Sequence, residues 1–323
     1  MNVLVTGGAG YIGSVCAEKL LDSGHTVTIL DNLTEGHRSA VDPRAQFFEA
    51  DLANANDVST IIGENHIEAV IHFAANALVG ESMTNPGKYF RNNVACGINL
   101  LEALVTHKVR KLVFSSTCAT YGVPDTVPIT ESLPQSPVNP YGESKLMFER
   151  MLHWYGRIHQ LEYVAFRYFN AAGATEQHGE HHRIETHLIP NVLKVALGQK
   201  EHCEIYGTDY PTPDGTCIRD YIHVVDLAEA HILALQPGIQ GAFNLGTGTG
   251  CSVRQIIRTC EEVTGKSIPT ITQPRRIGDP PELVASPQRT QVALNWKPRF
   301  TKIQDIIGTA WNWHKAHPQG YAD

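Results

Sequence analysis

Tyr141 and Lys145 stand four positions apart in the sequence, a spacing that places both side chains on one face of a helix. A tyrosine hydroxyl ordinarily has a pKa of about 10 and is a poor base at neutral pH. An ammonium group held beside it favours the phenolate by charge attraction. Such a pair can take the proton of a substrate hydroxyl while hydride leaves the same carbon. The pattern by itself equally fits a surface helix carrying an ordinary aromatic, so its weight depends on the elements around it.

The chain opens with a strand, Val3-Leu4-Val5, that runs into Thr6-Gly7-Gly8-Ala9-Gly10-Tyr11-Ile12-Gly13. Gly7, Gly10 and Gly13 sit between this strand and a helix whose apolar residues are Ile12, Val15, Cys16, Leu20 and Leu21, with Gly24 suited to its C-terminal end. Glycines in this arrangement allow a tight turn, close approach of backbone to a pyrophosphate, and close packing of helix on strand. Free N–H groups at the helix N-terminus suit phosphate. A second strand, Thr26 to Leu30, ends in Asp31. That carboxylate stands where the hydroxyls of an adenosine ribose are bound, and it would repel a 2′-phosphate, so NAD is expected rather than NADP. The cationic nicotinamide would add to the pull of Lys145 on Tyr141.

The remaining pattern supplies a frame for these groups. Ala69-Val70-Ile71-His72-Phe73 and Lys111-Leu112-Val113-Phe114-Ser115 read as buried strands, and a further strand is expected near 163–169. Helices are expected near 54–65, 88–106 and 141–158. This alternation predicts an α/β fold: a Rossmann-type doubly wound parallel sheet. Beyond residue 170 the pattern becomes mixed, with helices near 187–198 and 252–264, the latter opened by a Ser252–Gln255 capping box. The expected organisation is a NAD-binding domain over 1–169 and a smaller mixed α/β domain over 170–323, with some of its segments returning to the sheet. A chain of 323 residues can bury two such cores. The net charge of −7 and the lack of a long basic run argue against nucleic acid. No apolar stretch approaches a membrane span, and the short apolar start is not a signal peptide. Seven cysteines without a Cys-x-x-Cys pair fit small buried residues in a reducing cytoplasm.

With these residues placed, the chain resembles the extended short-chain dehydrogenase/reductase family, in its branch of UDP-sugar 4-epimerases. The marks are the glycine run, Leu30-Asp31-Asn32-Leu33, His72-Phe73-Ala74-Ala75, Val79-Gly80-Glu81-Ser82, Ser115-Ser116-Thr117, Tyr141 with Lys145, Arg167-Tyr168-Phe169-Asn170, the stretch from Gly215 to Val224, Asn244-Leu245-Gly246, and His317-Pro318-Gln319-Gly320-Tyr321. They span nearly the whole length.

The resemblance implies an epimerisation without net redox, UDP-galactose to UDP-glucose through a 4-ketopyranose, on tightly held NAD. It implies Tyr141, Lys145 and Thr117 as catalytic residues, Thr117 standing where many relatives carry serine. For the cofactor it implies Gly7, Gly10, Tyr11, Ile12, Gly13, Asp31, Asn32, Leu33, Asp51, Leu52, Phe73, Ala74, Ala75, Asn92, Ser115 and Tyr168, besides Tyr141 and Lys145. For the UDP-sugar it implies Thr117, Asn170, His187, Leu188, Tyr206, Arg219, Arg276 and Asp279. Arg219 could instead form a structural ion pair with Asp220. A homodimer is implied through the helices near 88–106 and 141–158, whose Leu100, Leu104, Met147, Met151 and Trp154 equally fit packing within one chain.

Besides Thr117, the chain departs from the pattern of the family it resembles at three places. Ala77 replaces a lysine near the cofactor. His187 replaces an asparagine. Leu283 stands near the position of a tyrosine that closes the sugar pocket, which leaves UDP-N-acetylhexosamines as alternative substrates. Pentoses, as in a UDP-arabinose/UDP-xylose 4-epimerase, are a further alternative. Dehydratase relatives need an Asp-Glu pair after the active-site threonine; Cys118 and Ala119 stand there instead. A non-catalytic NAD sensor would tend to lose the tyrosine or the lysine, and both are present. His178, His181, His182 and His187 cluster in sequence without a zinc-hydrolase pattern. They read as a solvated polar loop, with no metal expected. Trp296, Trp311 and Trp313 read as packing residues.

Overall fold

The computed structural model describes residues 1–276 and 278–323. Its strands are β1 (Asn2–Thr6), β2 (Thr26–Asp31), β3 (Gln46–Glu49), β4 (Ala69–His72), β5 (Lys111–Thr117), β6 (Glu162–Tyr168), β7 (Asn170–Ala172), β8 (Cys203–Tyr206), β9 (Ile218–His223), β10 (Gly241–Leu245), β11 (Gly250–Ser252), β12 (Thr270–Gln273) and β13 (Glu282–Leu283). Seven of them form one parallel sheet in the order β10-β6-β5-β4-β1-β2-β3.

Both faces of this sheet are covered. Val3 and Val5 point into one core with Val15, Leu20, Ile29, Ile71 and Phe166. Leu4 points to the other, with Leu30, Val70, Leu112, Ile62, Leu104 and Phe148. Alternation along a strand sends neighbours to opposite faces, and burial of both faces explains why these strands read as unbroken apolar runs. The helices Tyr11–Asp22 and Val224–Leu233 pack against each other on one side. The helices Ala55–Glu64, Cys96–Thr106 and Pro140–His159 lie on the other.

The helix expected over 88–106 is not continuous. A short turn, Pro86–Tyr89, passes into a π-helix, Phe90–Ala95, before the α-helix Cys96–Thr106. Gly97 lets that helix press on its neighbour, because a Cβ there would sit 2.3 Å from the Phe148 ring.

The remaining strands build a smaller layer. β9 is flanked by β11 and β13 and also pairs with β7, and β12 pairs with β8. The helices Leu188–Ala196, Val253–Thr264 and Ile303–Ala316 share a third core with β8 and β9. The Ser252–Gln255 capping box is present at the start of Val253–Thr264. β3 and the helices Val224–Leu233, Gln288–Leu294 and Ile303–Ala316 lie beyond the elements named from sequence. Trp296 and Trp313 are buried as packing residues. Among the described residues no helix is long and apolar enough to cross a membrane.

Candidate active site

Strand β1 pairs with β2 on one side and β4 on the other, so the strand order reverses there and a crevice opens at the carboxyl ends, where ligands bind in such sheets. The glycine turn lines it. A Cβ on Gly7 would sit 2.5 Å from the Ala74 backbone N, and one on Gly13 would sit 2.1 Å from the Gly7 carbonyl oxygen. Gly10 instead faces free space, its nearest neighbour being the Gly7 oxygen at 3.4 Å. Phe73 and Ala74, after β4, donate their backbone N–H groups to the Thr6 carbonyl at 2.9 and 3.1 Å.

Asp31 caps this end. The Ala9 N–H donates to one carboxylate oxygen at 3.0 Å and the Leu33 N–H to the other at 2.9 Å. Burial pushes its pKa up, and these two hydrogen bonds resist the rise. Leu33 takes a left-handed backbone, φ 56°. Asn32 donates to Asp51 at 2.8 Å, beside the buried Leu52. Tyr11 starts the first helix, and its hydroxyl donates to the Gly173 carbonyl at 2.7 Å, tying the turn to the start of the loop that follows β7. The cradle without side chains and the carboxylate beside it fit a dinucleotide.

The catalytic candidates meet at the end of β5. Its last residue, Thr117, accepts a hydrogen bond from the Ala119 N–H at 3.1 Å. Asn139 caps the helix Pro140–His159 by accepting from the Gly142 N–H at 2.8 Å, which brings Tyr141 into its first turn. Burial pushes the Tyr141 hydroxyl up to about 12, and the polar Thr117 side chain nearby acts against the rise. Lys145, 2% exposed, donates to the Ser115 carbonyl at 2.8 Å. Its Nζ lies 6.0 Å from the Tyr141 ring centre. Burial lowers its pKa to about 7. Loss of water is the largest influence on the Tyr141 hydroxyl, and Lys145 is itself partly uncharged near neutrality when no cofactor is bound. An ammonium has three donors, and the Ser115 carbonyl takes one, so the others suit ribose hydroxyls. Ser115 and Tyr168 hydrogen bond through their hydroxyls.

The sugar-facing candidates come from distant segments. Arg219 on β9 pairs with Asp279 and donates to the carbonyls of Ile218 and Pro280 at 2.7 and 2.8 Å. The alternative pairing with Asp220 does not form. Asp220 accepts instead from Thr247 and from the backbone N–H groups of Thr247, Gly248 and Ala285. Arg276 lies 4.1 Å over the Tyr206 ring. Asn170 begins β7, and His187 precedes Leu188 at the start of the helix Leu188–Ala196. Leu283 packs with Cys118, Tyr121 and Phe169 next to Thr117. Ala77 is exposed and supplies no charge.

Two sets of positioning residues were not foreseen. Asn93, in the π-helix, donates to the Ser144 hydroxyl and the Asn76 carbonyl, each at 3.0 Å. Ser144 in turn donates to the Tyr141 carbonyl at 2.7 Å. Behind Thr117, buried Glu149 accepts from Ser116 and Arg167, and Arg167 reaches the Tyr121 hydroxyl at 3.0 Å. One signal was available: Glu149 falls one helical turn after Lys145, on the face that must be buried. The solvated-loop reading is corrected at His178, while His187 stays exposed. His178 and Glu180 are 4% and 6% exposed, and His178 hydrogen bonds Glu18 at 2.7 Å, because this loop is sandwiched between the first helix and the C-terminal helix.

A parallel sheet with a glycine turn at its switch point and a tyrosine–lysine pair beyond β5 defines a nucleotide-dependent oxidoreductase-like enzyme. Residues 3–246 match the model of the NAD dependent epimerase/dehydratase family, and the chain belongs to that family. It is 51% identical to a UDP-glucose 4-epimerase of Halalkalibacterium halodurans, over 100% of this chain and 98% of that one. It superimposes with a TM-score of 0.97 on a crystal structure of a UDP-glucose 4-epimerase, at 50% identity and with complete coverage of both chains. It also superimposes with a TM-score of 0.95, at 37% identity, on the Bifidobacterium longum UDP-glucose 4-epimerase in complex with NAD+ and UDP, covering 99% of this chain and 100% of that one.

Proposed function

We propose that the chain is an NAD-dependent UDP-glucose 4-epimerase that interconverts UDP-galactose and UDP-glucose. The observation that carries this reading is the convergence of the Thr117 and Tyr141 hydroxyls with Lys145 behind them, followed by Cys118 and Ala119 rather than acids. That set can move one proton at one sugar oxygen but cannot expel water.

Bound NAD would accept hydride from C4 and return it to the other face of the 4-ketopyranose. Gly7, Gly10 and Gly13 would admit its pyrophosphate, Asp31 its adenosine ribose, and the spare Lys145 donors its nicotinamide ribose. Tyr141 takes the proton of the 4-hydroxyl and returns it. A phenolate is disfavoured in the buried site, so the positive charges of Lys145 and of the bound cofactor must lower the Tyr141 pKa for this step. Thr117 holds the reacting oxygen. Arg219 and Arg276 bind the diphosphate, a planar guanidinium matching its oxygens. This grip lies away from the reacting carbon, so the sugar can turn while the nucleotide stays held.

In this reading residues 1–169, joined by β10, hold NAD, and 170–323 mainly hold the UDP-sugar. Leu283 leaves more room than a tyrosine would, which supports N-acetylhexosamines as secondary substrates. We assign a cytoplasmic homodimer. Seven free cysteines suit that compartment. Leu100 and Leu104 are spent on the chain's own core, but Met147, Trp154 and Ile158 are 37%, 56% and 66% exposed along one helix. Light scattering at the mass of one chain would sink the dimer. The activity is tested by separating the products formed from UDP-galactose, UDP-N-acetylgalactosamine and UDP-arabinose without added reductant. UDP-glucose from the first is expected, and no turnover of any of them with NAD present would overturn the reading.

A further inference from the structure

Glu180, His182, Glu185 and His187 lie on one stretch of eight residues and offer donor atoms all within 4.8 Å of one another. The Glu180 carboxylate is 3.2 Å from His182 Nε2 and 3.0 Å from His187 Nδ1. The Glu185 carboxylate is 3.0 Å from the same His187 nitrogen. Their side chains are only 6% and 3% exposed, and among the described residues neither carboxylate pairs with a lysine or arginine.

Two buried carboxylates need compensation, and here the side chains paired with them are His182 and His187, with the His187 backbone N–H also donating to Glu185 at 2.7 Å. A third histidine adds to the pattern. His314 is 6% exposed with its Nε2 unpartnered, and the charges of Glu180 and Glu185 both act on it. We propose that Glu180, His182, Glu185 and His187 form a binding site for a divalent transition metal of the zinc class. Two carboxylates and two imidazoles give a neutral sum with such an ion, and this mixture of oxygen and nitrogen donors suits it. Bonds of about 2.1 Å in tetrahedral geometry space ligands about 3.4 Å apart, close to the spacing already present. The ion displaces the proton that His187 shares with the carboxylates.

The site belongs to the frame rather than to proton transfer. It ties the loop after Gly173 to the start of the helix Leu188–Ala196. His182 also stands edge-on to Tyr11 of the glycine turn, with ring centres 6.3 Å apart. An ion there holds the nucleotide end and His187 in one register.

The test uses full-length protein without a histidine tag, stripped with a chelator and dialysed. Zn2+ is titrated against a competing fluorescent chelator, and Co2+ is followed by its visible absorption. The expected result is one ion per chain, a four-coordinate Co2+ spectrum, and at least about tenfold weaker binding in His182→Ala and in Glu185→Gln. Circular dichroism of both variants without metal checks that they fold. No stoichiometric binding by the wild type would overturn the proposal and leave an ion-pair cluster. Equal binding by wild type and both folded variants would overturn it too, as an adventitious ion on other histidines.

Discussion

The two ends of the crevice are built by different means. The nucleotide end is set by backbone atoms in close approach: Gly7 against Ala74, Gly13 against Gly7, and Asp31 clamped by the Ala9 and Leu33 N–H groups. The proposed sugar end is set by side chains rather than backbone, with Arg219 meeting Asp279 and Arg276 lying over Tyr206. Tyr141 stands between, on a helix whose start is fixed by one asparagine cap. Close backbone approach tolerates no added atom. Convergent side chains can be altered one at a time, at graded cost.

That contrast can be tested by substitution. The largest effect is expected between the two ends: Tyr141→Phe should lower kcat roughly a thousandfold while leaving the melting temperature and NAD content unchanged. Turnover of UDP-galactose and cofactor absorbance measure both. At the nucleotide end, Gly13→Ala should cost ~2 kcal/mol or more of stability and abolish NAD retention, since its Cβ meets a carbonyl oxygen at 2.1 Å. Denaturant unfolding with and without NAD reads this, and an intact variant would break the backbone half of the comparison. At the sugar end, Arg219→Lys should raise KM for the UDP-sugar about tenfold with a smaller change in kcat, because one ammonium cannot replace the fork.

A smaller effect concerns pH. Lys145 has a folded pKa near 7, below its ordinary value of 10.5. Between these the unfolded chain binds the extra proton, so stability without cofactor should rise with pH across that window. Below it, the folded state carries the burial cost in full. Lys145→Met should flatten the rise in thermal melts. Smallest of all, Thr117→Ser keeps the hydroxyl and should change kcat by less than about threefold, losing only the methyl's restriction on rotamer.

The same contrast explains what could be read from sequence. The glycine turn, Asp31 and the central strands were legible because each is written as a local pattern of residue types in the sequence. The end of β5 was placed two residues early, since Ser116 and Thr117 are polar yet buried through partners on another element. The ion pair of Arg219 was open because sequence adjacency favoured Asp220, while the fold delivers Asp279 from a distant loop. The histidine loop looked solvated because its polar residues satisfy one another rather than water. Asn93 left no signal, since its function depends on a helix that is not of the regular kind.

The π-helix at Phe90–Ala95 carries a consequence for inheritance. Its i→i+5 pattern encloses one residue more in each hydrogen-bonded loop than an α-helix, and each residue turns an α-helix by about 100°. Losing a single residue here would let the segment relax into an ordinary helix, swinging Asn93 away from Ser144 on the Tyr141 helix. An in-frame deletion of one codon, harmless in most surface loops, would therefore unseat the active site from a distance.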